Sequence, residues 1–171
     1  MALKILCVGD MHLGKSASRL PEALEDHGVH SRDLTPAVTW RRICERAIAD
    51  QVDAVVLAGD VVEDEDERFS AYSHLDVGIR SLAQNDIPVI GVAGNHDGTA
   101  LPRLARQLTG FRLIGESGQW ENLTCNADDG TPFEILGWSF PEREYADNPF
   151  DRLDRQKPPV GFRMGLLHAD I

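Results

Sequence analysis

The run Pro88-Val89-Ile90-Gly91-Val92, followed by Gly94-Asn95-His96-Asp97, decides how the chain is read. An apolar segment of strand length breaks at glycine and then presents an amide, an imidazole and a carboxylate in succession. That pattern places polar chemistry at the rim of a sheet, where α/β proteins hold their sites. Two other runs end in the same way. Leu3 to Val8 leads into Gly9-Asp10-Met11-His12, and Ala54 to Ala58 leads into Gly59-Asp60. Three strands thus each deliver glycine and then a side chain able to ligate a metal.

Helical patterns separate these strands. Thr35-Pro36 supplies an N-cap hydroxyl and a proline at the first helical position. Trp40, Ile43, Cys44, Ala47 and Ile48 then recur at the spacing of one helix face. A second stripe is formed by Tyr72, Leu75, Ile79, Leu82 and Ala83, and a third by Leu101, Leu104, Ala105 and Leu108. The β-α-β-α-β-α order predicts a parallel sheet with right-handed crossovers. The second half reads differently. Phe111 to Ile114 is a short strand, and Trp120 to Cys125 and Pro132 to Trp138 flank Asp128-Asp129-Gly130, a hairpin signal. A charged, proline-containing connection from Pro141 to Pro159 leads to a last strand, Gly161 to Leu167, which brings out His168. The expectation is a second, more antiparallel sheet packed on the first, giving a layered α/β/β/α sandwich.

With 171 residues, 42% of them hydrophobic, the chain can build a single domain with a sizeable core. No apolar run approaches membrane-spanning length and no signal-peptide pattern opens the chain, so a soluble, cytoplasmic protein is expected. Cys7, Cys44 and Cys125 are odd in number, far apart and set among apolar residues, which reads as buried free thiols. A net charge of −11 argues against a nucleic-acid-binding surface, which normally carries a local excess of Lys and Arg. Much of that charge lies in Glu63-Asp64-Glu65-Asp66-Glu67, read as a solvated loop. The long connection Gly14 to Leu34 is expected to lie over the first strand end. Its His27 and His30 have no third partner nearby and read as exposed loop histidines, and His74 reads as a structural or exposed helix residue.

Asp10 and His12 are two apart, and extended backbone would turn both to one side, able to grip one cation together. Asp60, with two carboxylate oxygens, can bridge two cations about 3.5–4 Å apart. Asn95 adds an amide oxygen and His168 an imidazole nitrogen. The expected division is Asp10, His12 and Asp60 on one metal, and Asp60, Asn95 and His168 on the other. Two carboxylates, two divalent cations, a hydroxide and a phosphodiester sum to neutrality, as a partly buried site requires. The mixture of Asp with neutral His and Asn therefore suits phosphate-ester hydrolysis better than an all-carboxylate cage. His96 is expected to stabilise the transition state or protonate the leaving oxygen, with Asp97 orienting it. Taken singly, Asp10 or Asp60 reads as a cap, His12 as a surface group and His168 as a core histidine. Their shared position at strand ends favours a metal site.

These motifs make the chain similar to the calcineurin-like metallophosphoesterases, whose Asp-x-His, Gly-Asp, Gly-Asn-His-Asp and later His motifs match Asp10/His12, Gly59/Asp60, Gly94 to Asp97 and His168 in order. Asp10-Met11-His12-Leu13-Gly14 most resembles the SbcD-type nuclease subunits of DNA double-strand-break repair. The resemblance implies the four-layer sandwich and a dinuclear centre, usually Mn²⁺, with Fe or Zn²⁺ suiting the same donors. For partners it implies DNA and an SMC-like ATPase subunit, and it allows a homodimer. The implied activity is phosphodiester hydrolysis by a DNA repair exonuclease; a phosphoesterase acting on a small molecule or phosphoprotein, or a non-catalytic docking module, are the alternatives. The family's closing Gly-His-x-His motif does not occur in this chain, so each metal would lack one imidazole. Residues 1–171 accordingly read as a metallophosphoesterase domain forming the N-terminal part of a longer protein.

Overall fold

The first sheet is built from apolar runs too short for helices and rich in Val and Ala. In the computed structural model, which describes residues 2–15, 31–63, 68–154 and 158–169, these are β1 (Ile5–Val8), β2 (Ala54–Ala58), β3 (Val89–Val92) and β4 (Phe111–Leu113). They lie side by side in chain order and all pair in parallel. The register sets Val8 opposite Leu57 and Ala58 opposite Val92, so three strands end together at one rim.

Helices cover one face of this sheet. Thr35 caps α1 (Pro36–Asp50), its Oγ1 accepting from the Val38 N–H at 3.3 Å. Trp40, Cys44 and Ala47 of α1 and Leu75, Ile79 and Leu82 of α2 (Arg68–Ala83) pack on Val55, Leu57 and Val89. The third helix, α3 (Ala100–Ala105), is shorter than its stripe suggests. Its last turn frays, with the Leu108 N–H shared between the Leu104 and Ala105 carbonyls before Gly110 turns at positive φ. His74 is exposed on α2, and its carbonyl accepts from the Trp40 indole at 3.1 Å.

The opposite face meets a second sheet of β5 (Glu121–Asn126), β6 (Pro132–Trp138) and β7 (Phe162–Leu167). Phe133, Ile135 and Leu166 pack between the sheets against Val56, Ile90, Val92 and Ile114. The sheet is mixed: β5 and β6 form the expected antiparallel hairpin, whereas β7 joins β6 in parallel. That parallel pairing sends the end of β7, and His168, towards the rim where β1, β2 and β3 finish. Three layers of the α/β/β/α arrangement are thus present among the described residues.

Cys44 is buried and Cys125 partly so, and all three cysteines are free. Cys7, however, is exposed. It lies two residues beyond Ile5 on the same face of edge strand β1, where the three-stranded sheet no longer covers it. The loop expected over the first strand end, with His27 and His30, and residues 64–67 of the acidic run lie outside the described residues. Among the described residues no helix is long and apolar enough to cross a membrane.

Ile135 is fully buried between the sheets. Ile135→Ala is expected to lower the free energy of unfolding by about 2–5 kcal/mol in urea denaturation. Val77→Ala, at a site 69% exposed on α2, should change it by no more than about 0.5 kcal/mol.

Candidate metal centre

Beyond their last residues, β1 and β2 continue to run side by side. The His12 and Leu13 N–H groups donate to the Asp60 and Val61 carbonyls at 2.9 Å, and the Glu63 N–H returns to the Leu13 carbonyl at 3.0 Å. Met11 and Leu13 are buried in the helix-facing core, which anchors this segment and leaves Asp10 and His12 on its open side. The backbone there is not extended. Asp10, His12 and Asp60 have φ values of 50°, 44° and 48°, in the left-handed region, where Asp is one of the more tolerant residues.

The possible donor atoms gather in two groups. Ligand atoms of Asp10, Asp60 and His168 lie within 4.8 Å of one another, as do those of His12, Asp60 and His96. Asp60 is common to both groups, as expected of a bridging carboxylate. Asp10 and His12 fall in different groups instead of gripping one position together. His96, expected outside the coordination shell, joins His12, its ring set edge-on with centroids 5.4 Å apart. Asn95 is half-buried and lines the same cavity as His168.

Asp60 is 3% exposed, with Oδ1 accepting from the His96 N–H at 3.1 Å. Its Oδ2 faces His12 Nε2 at 3.7 Å and His168 Nε2 at 3.6 Å. These separations are too long for hydrogen bonds. They are close to the spacing of about 3.0–3.4 Å that two donors adopt on one cation at bond lengths near 2.1 Å. The outer nitrogens are also held. His168 Nδ1 lies 3.1 Å from the Ala58 carbonyl, which can only accept, so Nδ1 carries the proton and Nε2 is free to bind. His12 Nδ1 lies 2.6 Å from Glu63 Oε2 and is fixed in the same sense. The donor set thus fits a pair of divalent cations.

Two glycines make this approach possible. A Cβ on Gly94 would collide with Asp60 Oδ1, and one on Gly59 would sit 2.5 Å from the His168 Cβ. Gly59 also adopts φ +82°, which L side chains rarely do.

Asp97 does not orient His96. It is fully buried, and its oxygens accept from the backbone N–H groups of Val61 at 2.6 Å, Val62 at 3.3 Å and Gly94 at 2.6 Å. It therefore ties the loop after β2 to the loop after β3. Burial pushes its carboxyl up to about 6, against the opposing effect of the three N–H donors. Besides Asp60, Glu63 stands beside His96: its Oε1 lies 3.6 Å from His96 Nδ1, while its Oε2 serves His12 and lies 3.9 Å from Lys15 Nζ. Read as the start of an acidic loop, Glu63 is the site residue that sequence reasoning missed. Its signal is its place three residues after Asp60, across two apolar residues that are buried.

A family model described as calcineurin-like phosphoesterase matches residues 3–163. The chain belongs to that family. Two relatives bear the name DNA double-strand break repair protein Mre11. The one from Sulfolobus acidocaldarius is 25% identical over 171 residues, covering 99% of this chain and 42% of the relative. The one from Halobacterium salinarum is 33% identical over 112 residues, covering 66% of this chain and 26% of the relative. The chain spans less than half the length of either. A solved dimetal phosphatase from Danio rerio shares the fold, with a TM-score of 0.50 at 16% identity over 87% of this chain and 49% of that one. The family to which the chain belongs uses divalent metals, and the rim offers a group of His and Asp donors that suits them.

Two substitutions separate the roles of the acidic residues. Glu63→Gln is expected to weaken Mn²⁺ binding about 10–100-fold by calorimetric titration, because His12 loses its charged anchor. Asp97→Ala leaves three buried N–H groups unpaired. It is expected to lower unfolding stability by about 3 kcal/mol or more in urea.

Proposed function

We propose that the chain carries the active site of a metal-dependent phosphodiesterase acting on DNA, of the repair-exonuclease type. One observation carries this reading: two groups of donors share the buried Asp60 at a rim where three parallel strands and β7 converge. The names of the two relatives favour DNA as the substrate.

In this reading Asp10, His12, Asp60, Asn95 and His168 hold two divalent cations, Mn²⁺ by preference, with His96 at the edge of the same set. Bound there, the cations would polarise the phosphate and acidify the attacking water. The protein does the rest. Ala58 and Glu63 hold His168 and His12 in the tautomers that present Nε2. His96, 37% exposed on its side chain, is placed at the mouth of the centre to give a proton to the leaving oxygen as the P–O bond breaks. Assembly with an SMC-like ATPase subunit, and with a second copy of the chain, belongs to the same proposal.

The net charge of −11 favours a second reading, a phosphoesterase acting on a small molecule or phosphoprotein. Mn²⁺-supplemented protein is expected to hydrolyse bis-p-nitrophenyl phosphate and single-stranded DNA, with EDTA abolishing both activities. His96→Gln should lower kcat about 10²–10⁴-fold. Turnover of p-nitrophenyl phosphate alone would discard the nuclease reading. No turnover of any of these substrates would leave a docking module.

A further inference from the structure

A cavity of about 270 Å³ lies away from the metal centre, between α3, the loop after β4 and the connection that follows β6. Arg103 and Arg106, three apart in sequence, line one side, and Glu116 and Ser117 line the other. Phe140 belongs to its wall, and the Phe140 ring stands 6.3 Å from that of His168, centroid to centroid. One side chain therefore separates this cavity from a residue of the centre.

Charge sets the cavity apart. The cavity beside the centre carries Glu144 and Asp147 against Arg143, and the one at the opposite end of the sheet carries Asp53, Asp128 and Asp129 against Lys4. Here two arginines face a single carboxylate, in a chain whose net charge is −11. Arg41, Arg46, Arg80, Arg112, Arg152 and Arg163 each meet a carboxylate of the chain. Arg106 is exposed and meets none among the described residues, although Glu116 lines the same cavity. Arg103, already engaged, adds its charge from the preceding turn.

The facing loop is strained at one position. Ser117 has φ 59°, in the left-handed region that L residues rarely adopt, whereas Gly115 and Gly118 on either side of it, at 72° and 67°, enter that region freely. Strain of this kind persists where the surrounding structure holds it, and it gathers at sites that bind ligands. The Ser117 hydroxyl is exposed and has no hydrogen-bond partner among the described residues.

We propose that this cavity holds a phosphate group, gripped by the Arg106 guanidinium with Arg103 and the Ser117 hydroxyl in support. A guanidinium fork matches two phosphate oxygens with parallel hydrogen bonds, and a hydroxyl donates to a third. Glu116 offsets one of the two positive charges, so the cavity takes a single anionic group. The inference rests on the phosphoesterase reading only for the source of the ligand: hydrolysis of a diester at the centre would release a phosphomonoester close by. Inorganic phosphate and a monoester end share the chemistry that the cavity recognises.

The test uses the whole chain loaded with diamagnetic Zn²⁺ and titrated with inorganic phosphate and with deoxyribose 5-phosphate, read by ¹H–¹⁵N NMR. Signals of Arg106, including its Nε–H, and of Ser117 are expected to shift and saturate, as a set distinct from any at His12, Asp60 and His96, with an affinity that falls as salt is added. Arg106→Gln, a surface change, is expected to weaken that first set about tenfold or more and to leave the second unchanged. Ser117→Gly, which suits the left-handed backbone, should weaken it about threefold or more. Saturation by deoxyribose 5-phosphate at lower concentration than by inorganic phosphate assigns the cavity to the ester; the reverse order assigns it to the free ion. Shifts confined to the centre would overturn the proposal, as would an affinity that neither substitution weakens. If bis-p-nitrophenyl phosphate is not hydrolysed while the Arg106 set persists, the hydrolase reading falls and the phosphate cavity stands.

Discussion

A carboxylate taken out of water costs free energy unless donors or positive charge meet it. Asp60 is that group in this protein. One oxygen is met by the His96 N–H, and the other faces two imidazoles across gaps longer than hydrogen bonds. The surrounding structure follows from keeping this carboxylate in place. Parallel register ends three strands at one level, Gly94 leaves room for the carboxylate, and Asp97 binds the two loops that flank it. A parallel sheet buried on both faces suits the task, because its strand ends are the only places where polar side chains can gather without disturbing the core.

Glu63 and Asp97 show how alike two acids can look in sequence while doing different physical work. Asp97 is fully enclosed and satisfied by backbone N–H groups, so it acts as a splice between loops. Glu63 is partly open and meets an imidazole, so it orients the His12 ring and leaves Nε2 facing Asp60. Both depend on the pairing of segments beyond the formal strand ends, through the bridge between Leu13 and Val62.

Much of the fold was legible because it is local. Thr35-Pro36 and the stripe behind it state α1, and Ala54 to Ala58 is a buried strand of the length and composition that parallel sheets demand. That these side chains gather at one rim was legible for a related reason: glycine followed by a polar side chain marks the point where a strand leaves the core. The grouping of donor atoms at the rim was less legible, because Asp10 and His12 take left-handed backbone where extended chain was expected. Glu63 was hidden by the acids that follow it, since an acidic run looks like solvated loop until its first member is seen to be fastened to Leu13 by its own N–H. The parallel entry of β7 was equally hidden, because strand direction after a long connection is decided by packing between layers.

His168 belongs to one sheet and Asp60 to the other, yet a single ion would be gripped by both. The imidazole already reaches across to the Ala58 carbonyl, so the two layers touch at this rim before any ion arrives. A cation that binds only the closed stack acts as a rivet through it. At an ion concentration a hundred times its Kd, unfolding would cost about 2.7 kcal/mol more. Cohesion of the sandwich and occupancy of the centre are in that sense one thermodynamic quantity, seen from two ends.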